Sequence, residues 1–218
     1  MISHRLELTA SALSGECIIA GDKSISHRSL IFAAQARGET TIHGLLESDD
    51  VMATANALRK WGVEIYKQGE QWKVQGKGLH SLTQSDEVID CGNSGTSARL
   101  LMGLLAGYEF TSFFSGDASL RKRPMKRVTE PLSQMGATFT ASKNTTLPLA
   151  LKGGALTPIS YTLPVASAQV KSALLLAGLN SNGTTIVIEP TPSRDHSEKM
   201  FELFGWPCAV EETAEGGR

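Results

Sequence analysis

Cysteine, tryptophan and tyrosine are scarce in this 218-residue chain, three of each, and aromatic residues make up only 6% of it. Cys17, Cys91 and Cys208 are far apart, odd in number and without a C-x-x-C pair, which argues against a disulfide framework, a thiolate metal site or a dithiol redox motif. They read as reduced thiols of a cytoplasmic protein. A charge excess is missing as well: 21 Lys and Arg stand against 22 Asp and Glu, so no global pull toward nucleic acid or an anionic membrane is expected. No apolar run approaches the roughly 18 to 20 residues that span a bilayer, and no signal-peptide pattern opens the chain. A soluble, unexported protein is the expectation. Neither G-x-x-x-x-G-K-[ST] nor G-x-G-x-x-G occurs between a strand and a helix, so nucleotide P-loops and dinucleotide folds lose their usual support. His27, His43 and His196 lack metal-ligand spacing, and all five histidines read as structural or surface residues. No Ser-His-Asp or Cys-His arrangement can be argued.

What is present is a weak internal repeat. Three short apolar runs, Cys17-Ile18-Ile19-Ala20, Val88-Ile89-Asp90-Cys91 and Tyr161-Thr162-Leu163-Pro164-Val165, each precede a small polar turn. An apolar helix follows each turn, expected over 24–36, 94–106 and 167–178, and helices apolar round most of their circumference are normally buried. A second strand comes next, over 40–45, 111–115 and 184–189, rich in β-branched or aromatic residues. A more polar helix then ends at Gly62, Gly136 and Gly205, the residue type that closes a helix in the left-handed conformation. Alternating segments at 63–66 and 72–74 follow the first of these glycines. The unit is βαβαββ, and the third copy is expected to stop before its last hairpin. Three such units predict an α/β pseudo-threefold domain, its helices inside and its sheets outward; the ββ tail is what a doubly wound sheet would not explain.

In such a domain the first helices point the same way, and their unpaired N–H groups favour anions. The residues before them are small: Gly21-Asp22-Lys23-Ser24, Gly92-Asn93-Ser94-Gly95-Thr96 and Val165-Ala166-Ser167-Ala168-Gln169. Ser24, Ser94 and Ser167 can be simple N-caps. The cations shift the balance, because Lys23, Arg28, Arg99 inside an apolar helix, Arg123 before Pro124 and Arg194 all fall in or beside the helix starts. Arg99 needs a partner, for which a buried carboxylate is one alternative. Pro124 suits the first position of the second helix, which would hold Arg123 near another N-terminus; Arg121, Lys122, Lys126 and Arg127 read as surface charge. Asp49, Asp50, Asp117 and Asp195 are available, and none is marked as a general base. The residues by themselves support a site for a small, highly anionic substrate.

Five ordered blocks resemble the 5-enolpyruvylshikimate-3-phosphate synthase family: 21–28, 92–96, 116–120 with Arg123-Pro124-Met125, 166–173 and Arg194-Asp195-His196. The resemblance covers nearly the whole chain. It implies transfer of the enolpyruvyl group of phosphoenolpyruvate to the 5-hydroxyl of shikimate 3-phosphate, with release of phosphate and without metal or organic cofactor. Carried over by position, it implies that Lys23, Ser24, Arg28, Ser167, Ala168, Gln169 and Arg194 bind shikimate 3-phosphate. Lys23, Asn93, Gly95, Thr96, Arg123 and Gln169 would bind phosphoenolpyruvate, Lys23 being the catalytic group, and Gly95 would leave room for glyphosate. The family's length is about twice that of this chain, so residues 1–218 are expected to form one N-terminal domain, with an absent C-terminal domain or a complementary chain as partner and negligible turnover alone. A non-catalytic anion-binding half of a split enzyme and a relative acting on UDP-N-acetylglucosamine are the alternatives. Against the second, Ser24 stands where that relative would have asparagine, and no cysteine lies near Arg123.

Overall fold

The alternation of buried helices and short strands resolves, in a computed structural model that describes residues 14–17, 19–141, 145–212 and 216–217, into three successive units. The first has α1 (Lys23–Gln35), β1 (Arg37–His43), α2 (Asp49–Lys60), β2 (Glu64–Gln68) and β3 (Gln71–Lys77). The second has β4 (Ile89–Asp90), α3 (Gly95–Leu105), β5 (Thr111–Ser115), a 3-10 turn (Leu120–Lys122), α4 (Lys126–Gln134), β6 (Thr138–Ala141) and β7 (Leu149–Lys152). The third has β8 (Ser160–Thr162), α5 (Ala168–Gly178), β9 (Ile186–Ile188) and α6 (His196–Leu203).

Each unit builds its own sheet, in the orders β1-β3-β2, β4-β5-β7-β6 and β8-β9. The opening strands β4 and β8 run parallel to β5 and β9 across a buried helix, whereas the hairpins β2–β3 and β6–β7 add antiparallel. Alternation fixes the inner face: Trp72 and Val74 of β3 lie against Thr40 and Ile42 of β1, and Ile42, Ile65, Trp72 and Val74 are buried. The helices α1, α3 and α5 gather at the centre, where Leu30, Ile31, Leu101, Leu104, Leu174 and Leu176 are fully buried. Burying each such side chain contributes about 1.5–3 kcal/mol. Where α3 meets α5 the backbones touch, since a Cβ on Gly103 would lie 2.2 Å from the Ala173 carbonyl oxygen. Gly62, Gly136 and Gly205 close their helices at positive φ, as expected.

Two features differ between the units. The opening strand expected at 17–20 does not form at the described residues: Cys17, Ile19 and Ala20 lie in no strand, and Ile18 is outside the described residues. Ile19 is 85% exposed, so this run lacks the burial that holds β4, whose Ile89 is 1% exposed. At the other end, no strand follows α6 among the described residues. The outer face of the third unit is a groove of about 760 Å³ lined by Leu175, Leu179, Ile186, Ile188, Phe201 and Trp206.

Candidate functional site

The start of α1 brings the first and third units together. Its N-cap is Asp22, whose carboxylate accepts from the Ile25 N–H at 2.8 Å, and not Ser24, which lies inside the first turn. Asp22 comes first in the chain at a position where either residue type can cap, and a carboxylate gains more from the helix dipole. The Ser24 hydroxyl is thereby released, and it accepts from Arg194 Nη1 at 3.0 Å. Lys23, half exposed, pairs with Asp50 in the first turn of α2. One turn along α1, Arg28 is buried and donates from Nη1 to the Ser24 carbonyl at 2.9 Å, from Nη2 to Ser172 Oγ at 2.6 Å and from Nε to Ser197 Oγ at 2.8 Å. All three acceptors are neutral. Burial, and after it the nearby Arg194, lowers the Arg28 pKa to about 10, with Glu198 opposing, so the guanidinium is still charged at neutral pH.

The starts of α3 and α5 meet on the other side. Ser94 caps α3, accepting from the Ser97 N–H at 3.0 Å, and Ser167 caps α5, accepting from the Val170 N–H at 3.4 Å. Ala168 opens α5 and is half-buried. Gln169 bridges the two helix starts: its Nε2 donates to Thr96 Oγ1 at 2.9 Å and its Oε1 accepts from Arg99 Nη1 at 2.9 Å. Arg99 also donates to the Gly95 carbonyl at 3.2 Å and the Pro124 carbonyl at 3.3 Å, so its partners here are neutral and not a carboxylate. Burial, then Arg123 and Arg127, pushes its pKa down. Gly95 has no side chain where one would collide: a Cβ would stand 2.6 Å from Arg99 Nη1 and 3.5 Å from Arg123 Nη1.

Arg123 donates from Nη2 to Asn93 Oδ1 at 2.5 Å, and Asn93 Nδ2 donates to Asp117 Oδ2 at 2.6 Å. Asp117 accepts from the Leu120 N–H at 2.7 Å, and this bond, ahead of the one from Asn93, holds its carboxyl below the usual carboxylate range. Pro124 is not the first residue of α4, contrary to the sequence reading. Met125 donates its N–H to the Thr145 carbonyl at 2.9 Å and caps the helix, which starts at Lys126, while Arg123 closes the 3-10 turn instead. Arg121, Lys122, Lys126 and Arg127 are exposed.

Ser172 and Ser197 were not singled out in the sequence, and Asp50 only as an available carboxylate, although they hold Arg28 and Lys23. Ser172 and Ser197 carry no local signal, being 144 and 169 residues from the arginine they bind. A buried chain of hydroxyls also links the first two units: His27 Nδ1 to Thr54 Oγ1 at 2.7 Å, Thr54 to Ser97 Oγ at 2.8 Å and Ser97 to Ser94 Oγ at 2.7 Å. Burial lowers the His27 pKa to about 4, with Asp50 opposing, so the ring is neutral and structural. Among the described residues no three His, Cys, Asp or Glu side chains gather as a metal site, and no helix is long and apolar enough to cross a membrane.

Four guanidiniums and one ammonium thus surround three helix starts; Asp50 pairs directly with Lys23, and Asp117 reaches Arg123 through Asn93. A family model described as EPSP synthase (3-phosphoshikimate 1-carboxyvinyltransferase) matches residues 8–216. The chain belongs to the EPSP synthase family. Among curated relatives, the 3-phosphoshikimate 1-carboxyvinyltransferase of Gluconobacter oxydans is 52% identical over 220 residues, covering 100% of this chain and 50% of the relative. That of Novosphingobium aromaticivorans is 55% identical over 208 residues, covering 94% and 47%. The structure of EPSP synthase from Acinetobacter baumannii superposes with a TM-score of 0.88 at 45% identity, over 93% of this chain and 46% of that one. The chain therefore spans about half the length of the family members it matches, and its fold is that of the enolpyruvyl transferases.

Proposed function

We propose that this chain supplies one wall of a site where the 5-hydroxyl of shikimate 3-phosphate receives the enolpyruvyl group of phosphoenolpyruvate. The supporting observation is the convergence of Lys23, Arg28, Arg99, Arg123 and Arg194 on the starts of α1, α3 and α5, with mostly neutral partners. Buried guanidiniums held by hydroxyls and carbonyls keep their charge for an anion. Ser24 accepts from both Arg28 and Arg194, which supports a sugar-phosphate subsite beside it, and in this reading Ser167, Ala168 and Gln169 at the start of α5 take the ring. Arg123, Asn93, Gly95 and Thr96 take phosphoenolpyruvate, with Gln169 touching both substrates. Glyphosate would lie beside Gly95, where no side chain stands against Arg99 and Arg123.

In the reaction the hydroxyl oxygen adds to carbon 2 as a proton reaches carbon 3, and the tetrahedral adduct then breaks its bond to phosphate and loses a proton. Lys23 would lie between the two substrates, exchanging its bond to Asp50 for bonds to the charge that develops on them. The relatives are about twice as long, so the reading for this polypeptide by itself is binding without appreciable turnover. Calorimetric titration of shikimate 3-phosphate, with Arg28→Ala as control and a coupled phosphate-release assay on the same sample, tests it. Binding that the substitution abolishes is expected; no binding, or binding unchanged in Arg28→Ala, would remove the reading.

A further inference from the structure

The third unit meets Arg28 with two rungs that cross between α5 and α6. The neutral rung is Ser172 and Ser197: Ser197 Oγ donates to Ser172 Oγ at 2.7 Å, and the two hydroxyls accept from Arg28. The charged rung is one residue away on each helix, where Lys171 Nζ donates to Glu198 Oε1 at 2.6 Å. Lys171 also reaches Glu189 Oε2 at 2.6 Å, and the lysine, Glu189 and Glu198 side chains are 4%, 1% and 11% exposed. One ammonium therefore restrains two buried carboxylates.

Glu198 has a second oxygen to offer. Its Oε2 is buried with no hydrogen-bond partner, an expensive state for a carboxylate. Arg28 is the nearby cation with capacity to spare. Its three bonds use Nε–H and one N–H on each terminal nitrogen, which leaves two N–H groups that no described residue takes. Glu198 is near enough to favour the arginine's charge, yet it is bonded to Lys171 and not to Arg28.

We propose that Lys171 is a positioning residue of the anion site: by holding Glu198 it keeps that carboxylate from closing on Arg28, whose free N–H groups stay available to a phosphate. This rests on the reading that Arg28 binds the phosphate of shikimate 3-phosphate. A bonded Glu198 would occupy the same donors with the same charge, and so compete with the ligand for as long as the protein is folded.

The test is titration of shikimate 3-phosphate into this chain, Lys171→Met, Lys171→Met/Glu198→Gln and Glu198→Gln, with a crystal structure of Lys171→Met. Losing one charge-assisted bond predicts roughly tenfold to a hundredfold weaker binding in Lys171→Met, and removal of the competing carboxylate returns the double variant to within about threefold of the parent. Glu198→Gln alone binds at least as tightly as the parent, which keeps the test alive should Lys171→Met fail to fold. A structural role for Lys171 would instead leave single and double variants equally weak, and that result, or weaker binding in Glu198→Gln, overturns the proposal. Should the parent itself not bind, the functional reading has failed for this chain, and the crystal structure decides the inference: Glu198 on Arg28 sustains it, and Glu198 elsewhere overturns it.

Discussion

β5 in the second unit has a strand on both edges, β4 parallel and β7 antiparallel, and Phe114 on it is fully buried. Among the described residues β9 in the third has β8 alone, and Ile186 is 49% exposed. The two units run through the same strand, helix, strand, helix order, and the hairpin β6–β7 is what the second has and the third lacks among the described residues. Yet the open unit contributes as much to the candidate site as the closed one: Gln169, Ser172, Arg194 and Ser197 all belong to it. The site is built at the inner ends of the helices, and helix packing, not sheet closure, sets its geometry.

Substitutions should therefore cost most in the closed sheet and least in the open one. Phe114→Ala removes a buried aromatic side chain and is expected to lower unfolding free energy by about 3–5 kcal/mol, whereas Ile186→Ala should cost under about 1 kcal/mol. Urea denaturation of both variants measures this, and equal losses would break the contrast. The tightest contact between the open unit and the closed one is the α3–α5 crossing, where no side chain fits at Gly103. Gly103→Val, forced against the Ala173 backbone, should cost about 3 kcal/mol. Gly178→Ala at the far end of α5, whose Cβ would meet Thr185 at 3.1 Å, should cost far less.

Acid sensitivity sharpens the same comparison, because His27 lies in the buried hydroxyl chain between the first two units. Its folded pKa of about 4 lies below the ordinary 6.5, so the unfolded chain binds more protons between those values. Stability contributed by the neutral ring is present above pH 6.5 and is lost as pH falls toward 4, amounting to about 2 kcal/mol between pH 7 and pH 5. His27→Gln should flatten that slope in urea midpoints taken at the two pH values. An unchanged slope would mean that the histidine is not buried in solution.

The fold was legible where a residue type has one physical use. Gly62, Gly136 and Gly205 announced their helix ends, at φ of +87°, +116° and +76°, because a left-handed cap excludes most other residues. The apolar circumference of α3 and α5 likewise announced burial. The N-cap of α1 was misjudged because Asp22 and Ser24 are equally good capping types, and the start of α4 because the bond from Met125 to Thr145 is tertiary. The cations of the site could be read from their helix starts, but not what holds them. Ser172, Ser197 and Asp50 become partners only when α5, α6 and α2 pack, and no spacing encodes that.

The thiols offer the mildest probe of the contrast, since they require no loss of stability. Cys91 ends the opening run of the second unit and is fully buried, with its pKa pushed up to about 12 by burial and then by Asp90. Cys208 lies in the tail that borders the open groove and is only half-buried. Its thiol is also raised by burial, so a difference between the two reports access to the thiolate and not ionisation alone. In a Cys17→Ser background, a maleimide at neutral pH should label Cys208 in the native protein, while Cys91 reacts only at the rate of global unfolding. Labelling of both at one rate would mean that the second unit opens as readily as the third, and the closing hairpin would then not be what separates them.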